Sequence, residues 1–210
     1  MWLLHLQTPR TNRLRFLAGQ NVALAIDDDS GSYAIASCPC DDRNLQFHIR
    51  NLPDNSFAQR VFNGLRAGEM VSVYGPAGEF VLRQESSRPL LLLACNSGFA
   101  PIKSLVEHAF SLDIAEVHLY WLATVKGGHY MSNWCRAWSD ALDNFHYREL
   151  FAESLQEPNP AQVLAQITAD YLDMTQFDIF VAGPAPFVHT ARAALLQRGV
   201  AAQHLASAII

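Results

Sequence analysis

The pattern of hydrophobic and polar positions changes character once along the chain. Up to about residue 83 the apolar positions come in short runs: Trp2 to Leu6, Leu14 to Leu17, Val22 to Ile26, Ser32 to Ser37, Leu45 to Arg50 and Met70 to Tyr74. Runs of this length, most with β-branched or aromatic content, predict strands. Turn formers separate them. Asp27-Asp28-Asp29-Ser30-Gly31 has the composition of a hairpin connection, and Gly75-Pro76-Ala77-Gly78 that of a tight turn leading into another strand, Glu79 to Leu82. One helix interrupts the series, from Ser56 to Leu65, with Phe57, Val61 and Leu65 at helical spacing. The pattern predicts a small antiparallel β-barrel with a single helical cross-piece.

Beyond that point longer helical stretches separate the apolar runs. Leu90-Leu91-Leu92-Leu93 reads as a strand buried on both faces of a parallel sheet. Ser97 is placed to cap the helix that follows, Pro101 sits in its first turn, and Ile102, Leu105, Val106 and Phe110 share one face. Further strands are predicted at Val117 to Leu122, His146 to Leu150 and Phe177 to Ala182. Helices are predicted near Ile102 to Leu112, Tyr130 to Leu142, Pro160 to Leu172 and Pro186 to Arg198. Such alternation builds a doubly wound parallel sheet with helices on both faces. The polar connector Glu85-Ser86-Ser87-Arg88-Pro89 divides the two patterns, giving a barrel domain over residues 1–86 and an α/β domain over 87–210. The turn at Gly183-Pro184 repeats the strand-to-small-turn layout of Cys95 to Gly98, so two such turns line one crevice. Free backbone N–H groups at a strand-to-helix junction make a seat for an anion.

Composition narrows the function classes. Half of the 210 residues are apolar and the formal charge is -5. A core is available, and with no Lys/Arg cluster no nucleic-acid partner is expected. The amino terminus lacks the layout of a signal peptide and no apolar run has transmembrane length, so neither a membrane partner nor an extracytoplasmic location is expected, and the chain is placed in the cytoplasm. The four cysteines, Cys38, Cys40, Cys95 and Cys135, form no zinc or iron–sulfur spacing and are expected to be reduced structural thiols. The eight histidines likewise show no ligand spacing; His129 and His189 are expected to be surface groups, and no metal site is predicted.

Several landmarks occur in a recognisable order: Ala18-Gly19-Gln20, Ser32-Tyr33-Ala34-Ile35-Ala36-Ser37, Phe47-His48-Ile49-Arg50, Gly75-Pro76-Ala77-Gly78-Glu79-Phe80, Ser97-Gly98-Phe99-Ala100-Pro101, His118-Leu119-Tyr120-Trp121 and Gly183-Pro184. In order and spacing they resemble the ferredoxin–NADP reductase superfamily, particularly the flavin-plus-nicotinamide module of bacterial oxygenase reductases. The resemblance covers nearly the whole chain. It implies FAD on the barrel, NADH or NADPH on the sheet domain, and electrons passing from NAD(P)H through FAD to an acceptor protein on another chain. The cofactor-binding positions it implies are Tyr33, Ala34, Ile35, Ser37, His48, Ile49, Arg50 and Ser56 in the barrel. In the sheet domain they are Ser97, Gly98, Pro101, Gly183 and Pro184.

The same resemblance exposes departures. The family motif Arg-x-Tyr-Ser sets an arginine on the FAD pyrophosphate, a tyrosine on the isoalloxazine and a serine near its reactive nitrogen; here these positions are Gly31, Tyr33 and Ala34. Losing the guanidinium removes a charge-assisted contact of about 1.5–3 kcal/mol. The family's glycine-rich turn before the barrel helix is Asp54-Asn55-Ser56-Phe57-Ala58, and its Gly-Gly-Thr-Gly is Cys95-Asn96-Ser97-Gly98. Thr124 and Gly128 replace a usual arginine and aspartate, and Ala182 a usual cysteine. Tyr33 is either a flavin-stacking residue or barrel packing; Arg50 either replaces the missing arginine or is a solvated strand-end cation. Two functions follow: an oxidoreductase of this type, or a non-catalytic relative acting as a scaffold or a subunit for a regulatory partner. The match also enters near the family's second barrel strand, which predicts a short or absent first strand and an edge that a second copy would cover in a homodimer.

Overall fold

Alternation of side chains builds the amino-terminal half. In β2 (Asn21–Ile26) Val22, Leu24 and Ile26 are buried and the residues between them face outward. A two-residue turn at Asp27 and Asp28 joins it to β3 (Asp29–Ala34), with Asp27 at φ 52°. β5 (Ser72–Ala77) pairs on the other side of β2, while β1 (Trp2–Gln7) pairs antiparallel with β4 (Asn44–Ile49). The inner faces meet over Phe16, Val22, Leu24, Ile35, Leu45, Phe47 and Ile49, closed by Phe57, Ala58 and Val61 of α1 (Ser56–Gly64). The computed structural model describes residues 1–83, 86–112, 114–152, 165–167, 169–171 and 173–210.

The second half is a five-stranded parallel sheet in the order β10-β9-β6-β7-β8. Its strands are β6 (Leu90–Cys95), β7 (Val117–Ala123), β8 (Phe145–Phe151), β9 (Asp178–Gly183) and β10 (Leu205–Ile209). Every residue of β6 is buried, as the central strand of such a sheet requires. One face packs Leu92, Leu119 and Trp121 against α2 (Phe99–Ala109) and α3 (Ser132–Ala141). The other packs Leu91, Leu93, Ile179 and Val181 under α4 (Ala185–Gln197).

Local departures from the sequence pattern have physical causes. Leu14 to Leu17 forms no strand among the described residues: Phe16 is buried in the barrel core, and Leu17 N–H donates to the Gln20 side chain at 2.8 Å in the turn before β2. Gly75 and Pro76, joined by a cis peptide, lie inside β5 and not in a turn; the strand is a sheet edge and its register shifts there, which accommodates proline. Glu79 to Leu82 forms no ladder. Phe80 and Leu82 instead bury into the α/β core, with Phe80 edge-on to Phe180 at 5.4 Å. Ser97 does not cap α2; it lies in a 3-10 turn over Asn96–Gly98, and Gly98 occupies the cap position. Cys38 and Cys40 form a disulfide, while Cys95 and Cys135 are free and buried. The helix expected from Pro160 to Leu172 lies mostly outside the described residues, as does Glu85 of the connector. Among the described residues no helix is long and apolar enough to cross a membrane.

α2 fastens the two halves together. Ser104 donates its hydroxyl to the Ser37 carbonyl at 2.7 Å, and the buried Lys103 donates to the Ala36 carbonyl at 3.1 Å while pairing with Glu107 at 2.6 Å. Ala100 packs on Ala34 and Ala36. Small side chains on both sides allow this close approach.

Candidate functional site

The junction held by α2 lies at the carboxyl edge of the parallel sheet, where open α/β sheets take their ligands. The turn after β6 and the turn after β9 meet there. A Cβ added to Gly98 would stand 2.1 Å from the Ala182 carbonyl oxygen, and one added to Gly183 2.8 Å from the Cys95 Cβ. Gly98 is therefore fixed by contact with the backbone of the second turn, and Gly183 by the Cβ and the carbonyl oxygen of Cys95. Pro101 is buried in the first turn of α2, and Pro184 caps α4.

Asn96 holds the first turn in shape. It sits at φ 51°, a conformation asparagine tolerates better than most side chains. Its Nδ2 donates to Thr124 Oγ1 at 2.8 Å, and Thr124 N–H donates to Asn96 Oδ1 at 3.0 Å. The Asn96 carbonyl accepts from Trp121 Nε1 at 3.1 Å. Two of the family departures are thus partners of one another.

An aromatic wall continues from this turn. The Phe99 and Trp121 rings stack at 3.9 Å, and Tyr130 stands edge-on to Trp121 at 5.1 Å. From the barrel side His48 completes it, with Nδ1 at 2.8 Å from the Tyr130 hydroxyl. Burial, with Lys103 and His5 adding repulsion, pushes His48 down to about 3, so the imidazole is neutral near pH 7. Its Nε2 is buried without a partner among the described residues. An orphaned nitrogen in this place calls for a ligand or solvent partner.

Two residues along the chain, Arg50 is exposed and makes no ion pair or side-chain hydrogen bond among the described residues. Its charge acts on Cys95 across the junction, opposing the burial that pushes that thiol up to about 12. Cys95 is accordingly a protonated core thiol. On the barrel side Tyr33 is half-buried beside Phe57, its hydroxyl donating to Asn55 Oδ1 at 2.9 Å; the same oxygen accepts from Ala58 N–H at 2.7 Å and caps α1. Burial pushes Tyr33 up to about 12. The tyrosine ring and Asn55 fold over Gly31, where an added Cβ would lie 2.8 Å from the ring.

The sequence-predicted positions divide accordingly. His48, Arg50, Ser97, Gly98, Gly183 and Pro184 gather around the two turns and the barrel edge facing them, while Tyr33 lies against α1 beside Phe57 and Asn55. Ile35 and Ile49 point into the barrel core and Ala34 packs on Ala100, while the Ile35 N–H donates to the Gln20 carbonyl at 2.9 Å. Ser37 accepts from Gln46 N–H at 3.2 Å, and Ser56 is exposed at the start of α1. Tyr130, Asn55 and Lys103 were not singled out. Asn55, an asparagine directly before a helical pattern, was the one with a readable signal.

A FAD-bearing group fits part of this site on the geometry alone. The free guanidinium of Arg50 and the orphaned His48 nitrogen are available to it, whereas Asn55 occupies the α1 amide that a phosphate would otherwise meet. Comparison with known proteins agrees with the fold. Residues 1–82 match the family described as the oxidoreductase FAD-binding domain. The CDP-6-deoxy-L-threo-D-glycero-4-hexulose-3-dehydrase reductase of Yersinia pestis is 30% identical over 202 residues, 95% of this chain and 61% of the relative. Reductase component 1 of the terephthalate 1,2-dioxygenase of Comamonas sp is 26% identical over 207 residues, 96% of this chain and 61% of the relative. The chain thus spans less than two thirds of the length of these curated relatives. The crystal structure of the Amycolatopsis cytochrome P450 reductase GcoB superposes with a TM-score of 0.83 at 20% identity, covering 99% of this chain and 64% of that one. With barrel strands, parallel sheet and paired turns in the same order, the chain has the ferredoxin–NADP reductase fold, with residues 1–82 matching the oxidoreductase FAD-binding domain family.

Proposed function

We propose that the chain is the flavin- and nicotinamide-binding part of a reductase, drawing electrons from NAD(P)H through FAD for an acceptor protein. Residues 1–86 serve the flavin and 87–210 the nicotinamide nucleotide. The observation that carries this reading is a pair of groups on one barrel strand end: the buried Nε2 of His48, without a partner among the described residues, and, two residues on, the exposed guanidinium of Arg50, which makes no ion pair among them. Both face the junction of the two turns. The names of the relatives, reductases serving a dehydrase and a dioxygenase, support the same class of work and an electron-acceptor protein as partner.

Arg50 would hold the diphosphate as a bidentate donor, and Tyr33 would present a ring face. His48, neutral and fixed by Tyr130, offers a single hydrogen bond at Nε2 without adding charge. The turns at Ser97-Gly98 and Gly183-Pro184 would seat the second nucleotide. Bound FAD would supply the conversion of hydride transfer into single-electron transfer.

The Tyr33–Asn55 and Asn96–Thr124 bonds favour a second reading, a non-catalytic relative serving a regulatory partner. Both satisfy within the protein the groups that a cofactor would otherwise engage. The test is the absorbance of purified protein between about 300 and 550 nm, with FAD added and unbound flavin removed. A retained flavin band bleached by NADH or NADPH supports the reductase; a protein that keeps no flavin under these conditions refutes it. Light scattering across a range of concentrations tests a homodimer paired along β1, whose Trp2 and Leu3 are exposed.

A further inference from the structure

Glu116, His118 and His146 meet on the sheet face that carries Tyr120 and Tyr171, at the amino ends of β7 and β8. This is the end of the strands away from the nucleotide crevice. In the parallel register His118 lies directly opposite His146, and their rings stack at 4.6 Å. Glu116, two residues before His118, bonds His118 Nε2 through Oε2 at 2.9 Å. One ligand atom from each of the three lies within 4.8 Å of the others. The 27 residues between the histidines conceal the cluster in the sequence; only strand pairing brings it together.

We propose that these three side chains form a binding site for a borderline divalent transition-metal cation of the zinc, nickel or copper class. Two imidazole nitrogens and one carboxylate oxygen are the donors such ions prefer, and they leave a coordination position for water. Ligand atoms on a tetrahedral zinc lie about 3.3 Å apart, given bonds of about 2.0–2.1 Å. The Glu116–His118 pair is already near that separation, and the exposed His146 ring is free to swing toward it. The cation would stand where the Glu116–His118 hydrogen bond now runs.

The surroundings support occupancy. Tyr171 and Phe177 stand edge-on to the His118 ring at 5.4 and 5.6 Å and fix its plane. Arg148, the nearest cation along β8, is engaged by Asp170 and lies over the Tyr120 ring. The three ligands then carry one net negative charge toward the ion. A metal here would tie edge strand β8 to β7, far from any flavin chemistry.

Isothermal titration of untagged, chelator-treated protein with zinc chloride tests the site independently of cofactor. One zinc per chain is expected, with His146→Ala and Glu116→Gln each binding at least about tenfold more weakly. His118→Ala is expected to abolish binding. Because His146 and Glu116 are exposed, their variants remain folded by circular dichroism even if His118→Ala does not. His189→Ala, on α4, should bind as the parent does. Absence of zinc binding, or binding undiminished in His146→Ala and Glu116→Gln, would overturn the assignment.

Discussion

Asn96 and Thr124 clasp each other across the sheet edge, each giving one hydrogen bond and taking one. The clasp joins the end of β6 to the end of β7 and fixes the turn at the head of α2. Thr124→Val removes one neutral bond and should lower stability by about 1 kcal/mol. Asn96→Ala also puts alanine at φ 51° and leaves a backbone N–H without its acceptor, so about 1–3 kcal/mol is expected. Urea denaturation of both variants ranks them.

Ser104→Ala should weaken the joint between the halves. The Ser37 carbonyl would lose its 2.7 Å donor inside a buried contact, a loss of about 1–3 kcal/mol. Limited proteolysis near the connector should quicken alongside the fall in denaturation midpoint. Unchanged proteolysis and midpoint would mean that packing alone holds the joint.

Arg50→Gln should separate binding from stability. The guanidinium has no protein partner among the described residues, so the thermal midpoint of cofactor-free protein should move little. FAD affinity, read by flavin fluorescence, should fall about 10- to 100-fold, as expected for losing a charge-assisted phosphate contact. An affinity equal to the parent's would return Arg50 to the role of a solvated cation.

Acid should act through His48. Its pKa falls from 6.5 to about 3 on folding, so the unfolded chain takes up a proton that the folded chain refuses. The stability contributed is present above about pH 6.5 and is lost as pH falls toward 3, by up to about 1.4 kcal/mol per pH unit. His48→Gln should show a shallower decline over that window than the parent in urea melts at successive pH values. Parallel curves would show that His48 already finds a proton in the folded state.

Gly98→Ala should prevent normal folding, because the new Cβ would stand 2.1 Å from a backbone oxygen that has no room to retreat. Expression of soluble protein, followed by circular dichroism, reads the outcome.

These residues also mark what the sequence makes legible. The four leucines of β6, the apolar face of α2 and the alternation in β2 state their environments directly, because burial on two faces, one stripe or one side leaves distinct periods. Leu205-Ala206-Ser207-Ala208-Ile209 carries no such period, and β10 became visible only through its parallel pairing with β9. Phe80 and Leu82 alternate like a strand yet serve as anchors in the neighbouring core. Local motifs mark Gly98, Gly183 and Tyr33 as candidate positions. The site was hidden where distant segments cooperate, as with His48 and Tyr130 or His118 and His146. The departures at Asn96 and Thr124 were visible singly, but their mutual bond was not.

Trp121 gives the molecule an optical gauge. It is completely buried, whereas Trp2 and Trp134 are exposed and Trp138 is partly buried, so its emission should form the bluest component of the protein's fluorescence. Its indole rests on Phe99 and bonds to the turn at Asn96, one ring away from His48. Any disturbance of that turn, or any chromophore brought beside it, would dim or shift this light without a label.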